Sequence, residues 1–249
     1  RCSEKVGAEI QAAEYRRRQA IFSGKLVPLQ LEEPPEKVYI AMDGTGVPMV
    51  SKETKGRRGK AADGKARTRE VKLGCVFTQT TLDSEGRPVR DDGSTTYVGV
   101  IETAEEIGKD LYAEVVRRGL EPARIKVVLG DGALWIWELA QEHFPGAVEI
   151  LDLYHAREHL WKVARSLYDD DGKEQKVWVG RRIEELNGGD ITSLLKALRR
   201  VVPADAPAKK MVGTELSFFE RTGSGCVMIT SDLLDFLSVP EWLKPAAEP

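Results

Sequence analysis

Three aspartates follow apolar runs in this chain, at points where a buried strand would end. Asp43 follows "KVYIAM" and Asp131 follows "RIKVVLG", and a glycine comes after each acid. Asp152 follows a third run, "AVEIL", and His155 and His159 come next, four residues apart on one face of a predicted helix. Carboxylates are the hard oxygen ligands that Mg²⁺ takes, and two such ions can activate a water and stabilise the leaving oxygen at a phosphodiester.

Each of these positions also has a simpler interpretation. An Asp-Gly pair after a strand commonly forms a turn. Asp152 can be an acid at a helix N-terminus, with two half-buried histidines behind it. His155 and His159 have the spacing of zinc ligands, but Glu158 directly precedes the second histidine, so the order H-E-x-x-H is absent. The residues alone leave the turn and the metal interpretations of Asp43 and Asp131 open.

The hydrophobic pattern predicts the elements that would position these acids. Residues 3–22 have helical spacing, and a proline-rich break follows at 28–36. Helix 103–120 begins with Thr103 and Glu106, which fit a capping box, and Gly119 fits its end. The remaining elements of this part are strands at 37–45, 70–82, 95–102, 124–132 and 147–155, a turn at 83–86, and helices at 133–144 and 156–168.

Three consecutive strands followed by helix, strand, helix, strand and helix predict a mixed α/β sheet. The first three strands can form an antiparallel meander, and the last two, each reached through a helix, should be parallel. This is the order of the ribonuclease-H-like fold, which makes the first and fourth strands neighbours and brings Asp43 and Asp131 to one edge. We expect a helical remnant and linker at 1–36, the core at 37–168 and a helical insertion at 169–221.

Charge is unevenly distributed along the chain. The net charge is −3, which by itself does not indicate a dedicated nucleic-acid binder. Residues 52–69, which we call the basic loop, carry eight Lys or Arg and two acids. The loop is either solvated surface or an arm that contacts DNA phosphates. The candidate DNA-binding residues are Arg57, Arg58, Lys60, Lys65, Arg67 and Arg69.

Cysteine usage and hydropathy predict the compartment. Cys2, Cys75 and Cys226 are far apart and odd in number, so they form neither a disulfide framework nor a zinc motif. We see no apolar run long enough to span a bilayer and no signal peptide, and we expect a cytoplasmic protein without a membrane partner. Because the first residue is Arg1 rather than methionine, we expect a fragment or a partial reading frame.

Several long segments resemble the DDE transposases of bacterial insertion sequences, specifically the ISKra-type branch of the Mutator-like group. They are "AMDGTGVPMV", "RTREVKLGCVFTQTT", "YVGVIETAEE", "VVLGDGALWIWELAQEHFPGA" and "DLYHAREHLW", and the resemblance runs from about Ser3 to Arg221. It implies a ribonuclease-H-like core in the bacterial cytoplasm that cuts and joins DNA with two Mg²⁺ (or Mn²⁺) ions. The implied partners are transposon ends, target DNA and, in the complete protein, further copies of the chain.

The resemblance also assigns residues. It makes Asp43 and Asp131 the first two catalytic acids and metal ligands, and Asp152 and His155 the family's C/D-x-x-H motif. The family's third acid is a Glu in a late "G-S-G-x-V-E" motif, but this chain has "GSGCVMI" at 223–229, with no Glu. Trp135, Trp137 and Trp161 fall in family positions too, and for them we favour core packing.

The genetic code suggests a cause for the missing Glu. With third bases free, the codons of residues 222–249, read one base earlier, can encode a complete "GSGVVEAGC". We therefore expect a frameshift near Arg221, an out-of-frame tail at 222–249 that docks irregularly, and a preceding helix that ends near Arg221. Losing one member of a catalytic unit abolishes most of its rate, so we expect a truncated, inactive transposase.

Two other functions stay open from the residues alone. One is a non-catalytic DNA-binding remnant that keeps the basic loop. The other is an unrelated α/β phosphoesterase with Asp43 as nucleophile, which would act on small phosphoesters without any need for DNA.

Overall fold

The computed structural model describes residues 2–59, 63–85, 87–101, 103–168, 172–223 and 227–228. The chain forms two compact units, each assembled from separated segments. The first unit comprises residues 1–78, 91–128 and 135–147, and the second comprises 79–90, 129–134 and 148–249. These units follow other boundaries than the domains expected from the sequence, because packing joins segments that are distant along the chain.

The described residues contain eight helices and eight strands. In chain order they are α1 (Cys2–Phe22), β1 (Lys37–Pro48), α2 (Ser51–Thr54), β2 (Thr68–Phe77), β3 (Thr81–Leu82), β4 (Pro88–Val89), β5 (Thr96–Val100), α3 (Ala104–Arg117), β6 (Ile125–Gly130), α4 (Leu134–His143), β7 (Val148–Leu151), α5 (Leu153–Leu167), α6 (Lys173–Asn187), α7 (Ile191–Arg199), α8 (Ala206–Gly223) and β8 (Val227–Met228).

The strands of the first unit confirm the predicted antiparallel meander. β1 pairs with β2 from Tyr39 opposite Phe77 to Pro48 opposite Thr68, and β2 pairs with β5 on its other side. The strand order in this unit is β5-β2-β1-β6, so β6 is the neighbour of β1. β6 ends in the second unit, where β7 and then β8 follow in the order, and β7 and β8 are parallel. The fold is therefore α/β, with both parallel and antiparallel pairing.

α3 covers the inner face of this meander. Ile107, Leu111 and Val115 recur at helical spacing and are buried. Gly74 on β2 permits their close approach, because a Cβ at that position would lie 2.8 Å from a methyl carbon of Leu111. Burial of such side chains from water supplies most of the stabilisation of a helix on a sheet.

Helix α3 ends as the sequence predicts but begins differently. Gly119 follows the helix with φ +68°, the left-handed conformation that glycine tolerates best. Thr103 occupies the N-cap position, yet its side chain makes no capping hydrogen bond. Glu106 pairs instead with Arg18 of α1, with 2.6 Å between Nη2 and Oε2. The predicted capping box is therefore wrong, because a tertiary ion pair occupies its glutamate.

The helices of the second unit pack on one another. α5 packs on α6 and α8, and α7 packs on α6 and α8. The side chains of Leu160, Leu186, Leu194 and Phe219 are almost completely buried between them. Within the helical insertion expected at 169–221, α6 and α7 are separate helices, because Gly188 and Gly189 end the first of them.

Three strand predictions differ from the structure. β1 continues past Asp43 to Pro48, because the residues after Asp43 keep pairing with β2. The strand predicted at 70–82 divides into β2 and the short β3, which pairs with β4 across the predicted turn. The strand predicted at 147–155 ends at Leu151, because Asp152 caps α5.

Residues 222–249, where we expected an irregular tail, lie mostly outside the described residues. The described part of this segment continues α8 to Gly223 and then forms β8 at Val227–Met228, which pairs with Ile150 and Leu151 of β7. This short pairing is more regular than we expected of the tail.

Within the described residues, none of the helices combines the length and the apolar character that a membrane span requires.

Candidate functional site

Asp43 lies inside β1 rather than at its end. It is opposite Leu73 of β2, so both side chains lie on the same face of the sheet, which is the face that Gly99 of β5 shares. The carboxylate is exposed, and its Oδ1 accepts a hydrogen bond of 2.7 Å from the backbone N–H of Gly44. Asp43 is thus an accessible acid in regular strand structure, which corrects the interpretation of Asp43-Gly44 as a turn.

Polar and aromatic side chains surround Gly44 on the other face of β1. A Cβ at Gly44 would lie 2.9 Å from Oε1 of Glu70 and 3.6 Å from the indole of Trp135. The Nζ of Lys72 pairs with Glu70 at 2.6 Å and lies 5.6 Å from the centre of the Trp135 ring. Sequence reasoning missed Glu70 and Lys72. The available signal was their spacing of two residues, which places both side chains on one face of β2.

Asp131 belongs to the second unit and follows β6 directly. Its Oδ1 accepts a hydrogen bond of 2.9 Å from the backbone N–H of Ala133, so the side chain stabilises the turn after the strand. Gly132 in this turn has φ +93°, and a Cβ there would lie 2.4 Å from the ring of Phe218. The turn therefore requires glycine for its conformation and for space.

Asp152 and His155, the two residues assigned to the C/D-x-x-H motif, are hydrogen-bonded to each other. Asp152 is the N-cap of α5, and its Oδ1 accepts a hydrogen bond from the N–H of Tyr154 at 2.8 Å. Its Oδ2 lies 2.9 Å from Nδ1 of His155. This hydrogen bond raises the pKa of His155, burial opposes the rise, and the charges of Asp152 and Asp131 add to it. The backbone N–H of Asp152 also donates to the carbonyl of Gly130 at 2.7 Å.

His159 has a separate partner that the sequence did not reveal. Its Nδ1 is hydrogen-bonded to Oε2 of Glu215 on α8, and its ring stacks on Phe218 with 3.7 Å between centroids. Glu215 is only 6% exposed, so the pair is enclosed between α5 and α8. His159 and Glu215 thus join α5 and α8, whereas His155 pairs with Asp152 on α5 itself.

The tryptophans are divided between core and surface. Trp137 is buried, as core packing predicts, whereas Trp135 and Trp161 are partly exposed. The prediction of core packing therefore holds for Trp137 and only in part for the other two.

The basic loop has its own internal hydrogen bonds. Arg58 and Lys65 form an antiparallel bridge, and the N–H of Ala66 donates to the carbonyl of Arg57 at 3.1 Å. The side chains of Arg57, Arg58 and Lys65 are exposed, and none of them pairs with another described residue. The described part of the loop is therefore a short hairpin with outward cations.

Three other candidates in the basic loop differ from these. Arg67 pairs with Asp63 at 2.9 Å, although it is exposed. Arg69 donates to the carbonyl of Ile101 at 2.7 Å and lies 3.9 Å from Glu53, so its guanidinium serves the fold. Lys60 lies outside the described residues.

Asp43 and Asp131 each keep one carboxylate oxygen that accepts no hydrogen bond from the described residues, while a backbone N–H donates to the other oxygen. Nowhere in the described part of the chain do three or more His, Cys, Asp or Glu side chains form a group that could hold a metal ion. Asp43 belongs to the first unit and Asp131 to the second, so their sharing of one Mg²⁺ stays a prediction.

No protein-family model matches this chain, and no curated protein matches it either.

Proposed function

We propose that this chain is a DNA-binding core of the DDE transposase type that contacts the phosphate backbone through the basic loop. The observation that carries the proposal is the hairpin of the loop, which presents Arg57, Arg58 and Lys65 to solvent without a described partner. Cations in such positions supply sequence-independent affinity for DNA, because each one that meets a phosphate releases condensed counterions.

The α/β fold supports this proposal without deciding it. The antiparallel meander and the position of β6 beside β1 agree with the order expected for a ribonuclease-H-like sheet. The segments that resemble transposases include β1 with Asp43, β6 with Asp131 and the start of α5 with Asp152. A fold alone does not imply a function, so the proposal depends on the exposed cations.

Strand cleavage is not part of the proposed activity. The third acid of the resembled family has no counterpart after "GSG" in the sequence, and the described residues form no group of three metal-binding side chains. We therefore expect DNA binding without Mg²⁺-dependent cleavage.

The test compares two variants with the same change in charge. In R57Q/R58Q/K65Q the basic loop loses three cations, whereas K5Q/R16Q/K25Q removes three exposed cations elsewhere in the first unit. The loop variant should bind duplex DNA more weakly. The slope of log association constant against log salt should become shallower by about 3, because each phosphate contact contributes roughly −0.9 to it. The control should keep the slope of the unmodified chain, and fluorescence anisotropy at several salt concentrations measures both.

Two results would contradict the proposal. If both variants lose the same affinity, binding reflects overall charge and the loop is ordinary surface. If the chain hydrolyses small phosphoesters without DNA and Asp43→Asn abolishes that activity, the phosphoesterase alternative replaces it.

A further inference from the structure

The helical part of the second unit contains a cleft of about 580 Å³. The end of α5, the middle of α6, and α7 with the residues after it form its walls. We call it the α6–α7 cleft, and the residues that matter below are Tyr168, Trp178, Arg181, Arg182, Lys196 and Arg200.

The cleft has an excess of positive charge. Arg181 lies on α6, and Lys196 and Arg200 are four residues apart on and just after α7. All three are exposed, and their side chains pair with no other described residue. The acid among the lining residues is Glu185, and the guanidinium of Arg182 binds both of its carboxylate oxygens, with 2.6 Å between Nε and Oε2. Glu185 is thus neutralised, and three cations remain.

Aromatic rings lie beside these cations. The guanidinium of Arg182, which is 8% exposed, lies 5.6 Å from the centre of the Trp178 ring. Its bond to Glu185 fixes the guanidinium, which in turn supports the indole. Trp178 and Tyr168 are partly exposed at the cleft. Unpaired cations next to a supported indole are the combination with which proteins hold single nucleic-acid strands, by phosphate contacts and base stacking.

We propose that the α6–α7 cleft binds a single nucleic-acid strand, with Arg181, Lys196 and Arg200 on phosphates and Trp178 against a base. A single strand fits better than a duplex, because duplex bases are stacked on each other and cannot reach an indole inside a concave surface. The inference takes nucleic acid as the ligand from the proposed function, but it uses other residues and the other unit. A free polyphosphate has the same phosphate chemistry, and the test separates the two sources.

The experiment measures binding of a labelled oligothymidine strand to the full chain by fluorescence anisotropy. In R181Q/K196Q/R200Q we expect at least a tenfold loss of affinity at moderate salt. The slope of log association constant against log salt should become shallower by about 2, because each phosphate contact with a single strand contributes roughly −0.7 to it. The matched control is K173Q/K209Q/K210Q, which removes three exposed cations of the same unit outside the cleft and should keep the slope.

Two further variants keep the inference falsifiable if the neutral variant folds poorly. R181K/K196R/R200K preserves the charge and should keep most of the slope. W178L should weaken strand binding and leave the affinity for tripolyphosphate, measured by competition with the strand, unchanged. An equal loss in the charge-preserving and neutral variants would overturn the inference, as would an equal loss in the matched control. Tight tripolyphosphate binding with no effect of W178L on the strand would assign the cleft to free polyphosphates instead.

The sequence supplies one more competitor for these cations. Three aspartates, Asp169, Asp170 and Asp171, directly follow Tyr168 in the chain. Strand binding that appears only after all three are replaced by asparagine would overturn the inference, since the cations would then serve these acids.

Failure of this inference is distinguishable from failure of the proposed function. If the basic-loop variant keeps its duplex affinity while the cleft variant loses the strand, the proposed role of the loop fails and the cleft stands. If the loop variant loses duplex affinity and the cleft variant keeps the strand, the reverse holds.

Discussion

Asp152 uses its two carboxylate oxygens for two different groups. One oxygen caps α5 at the N–H of Tyr154, and the other holds His155. The pKa of His155 is raised, with the hydrogen bond to Asp152 as the largest cause of the increase. A histidine whose pKa is higher in the folded than in the unfolded chain stabilises the fold below the unfolded pKa, and this stabilisation is lost as pH rises through the folded pKa.

The substitution Asp152→Asn tests this linkage, because asparagine keeps an oxygen for the cap and removes the charge. We expect a lower pKa of His155, measured by NMR titration, and a free energy of unfolding that is reduced more at pH 5 to 6 than at pH 8 to 9. Asp190→Asn on α7 is the matched control, because Asp190 caps its helix at Ser193 without a described histidine. An equal pH dependence in the two variants would contradict the linkage.

Local sequence predicted some of these residue roles and missed others. The contact between Asp152 and His155 spans three positions, so its spacing was visible. Glu215 lies 56 residues from His159 and reaches it only because α8 packs on α5. The same limit applied to Asp43, whose strand continues because β2 pairs with it, and a local turn signal does not reveal such pairing.

At the scale of elements, periodicity predicted the helices and the meander well. The apolar spacing of α3 and the break at Gly119 lie within the chain segment that forms them, so no tertiary information was needed. The predicted capping box failed because Glu106 meets Arg18, which is 88 residues away. The α6–α7 cleft was likewise invisible, because its cations come from two helices whose packing the sequence does not state.

The segment after α3 gives a test at this scale. Gly119 has φ +68°, and a Cβ there would lie 2.1 Å from the carbonyl oxygen of Leu29. Gly119→Ala should lower the free energy of unfolding by at least about 2 kcal/mol, through backbone strain and overlap with backbone atoms. Chemical denaturation measures the change.

Gly24 is the matched control for this substitution. It has the same φ of +68°, but nothing lies within 4 Å of a Cβ at that position. Gly24→Ala should therefore cost only the strain of the left-handed conformation, about 1 kcal/mol. Equal costs at the two positions would show that the contact with Leu29 contributes nothing.

The whole molecule has a net charge of −3, yet two of its surfaces are locally basic. The basic loop is part of the first unit and the α6–α7 cleft is part of the second. The net charge therefore does not reveal these two basic surfaces, and the proposed affinity for nucleic acid depends on the cations that meet phosphates.

Combining R57Q/R58Q/K65Q with R181Q/K196Q/R200Q tests whether the two surfaces act independently. The losses in log affinity for one long single strand should add. The slope of log association constant against log salt should become shallower by about 4 in the combined variant. Anisotropy with the same labelled strand measures both quantities. If the combined variant binds the strand with the same affinity as the weaker-binding triple variant, a single surface carries all the binding.

The interleaving of the two units along the chain has a consequence for synthesis. The chain passes from one unit to the other after residues 78, 90, 128, 134 and 147. At typical translation rates the ribosome needs roughly 7 to 30 s to synthesise the segment from residue 1 to residue 147. Until then the first unit lacks α4, and β3 and β4 have emerged long before the remainder of their own unit. During synthesis the first unit can therefore close only after residue 147 has emerged and the second only later, so that β3 and β4 wait for their unit and are exposed to chaperones in the meantime.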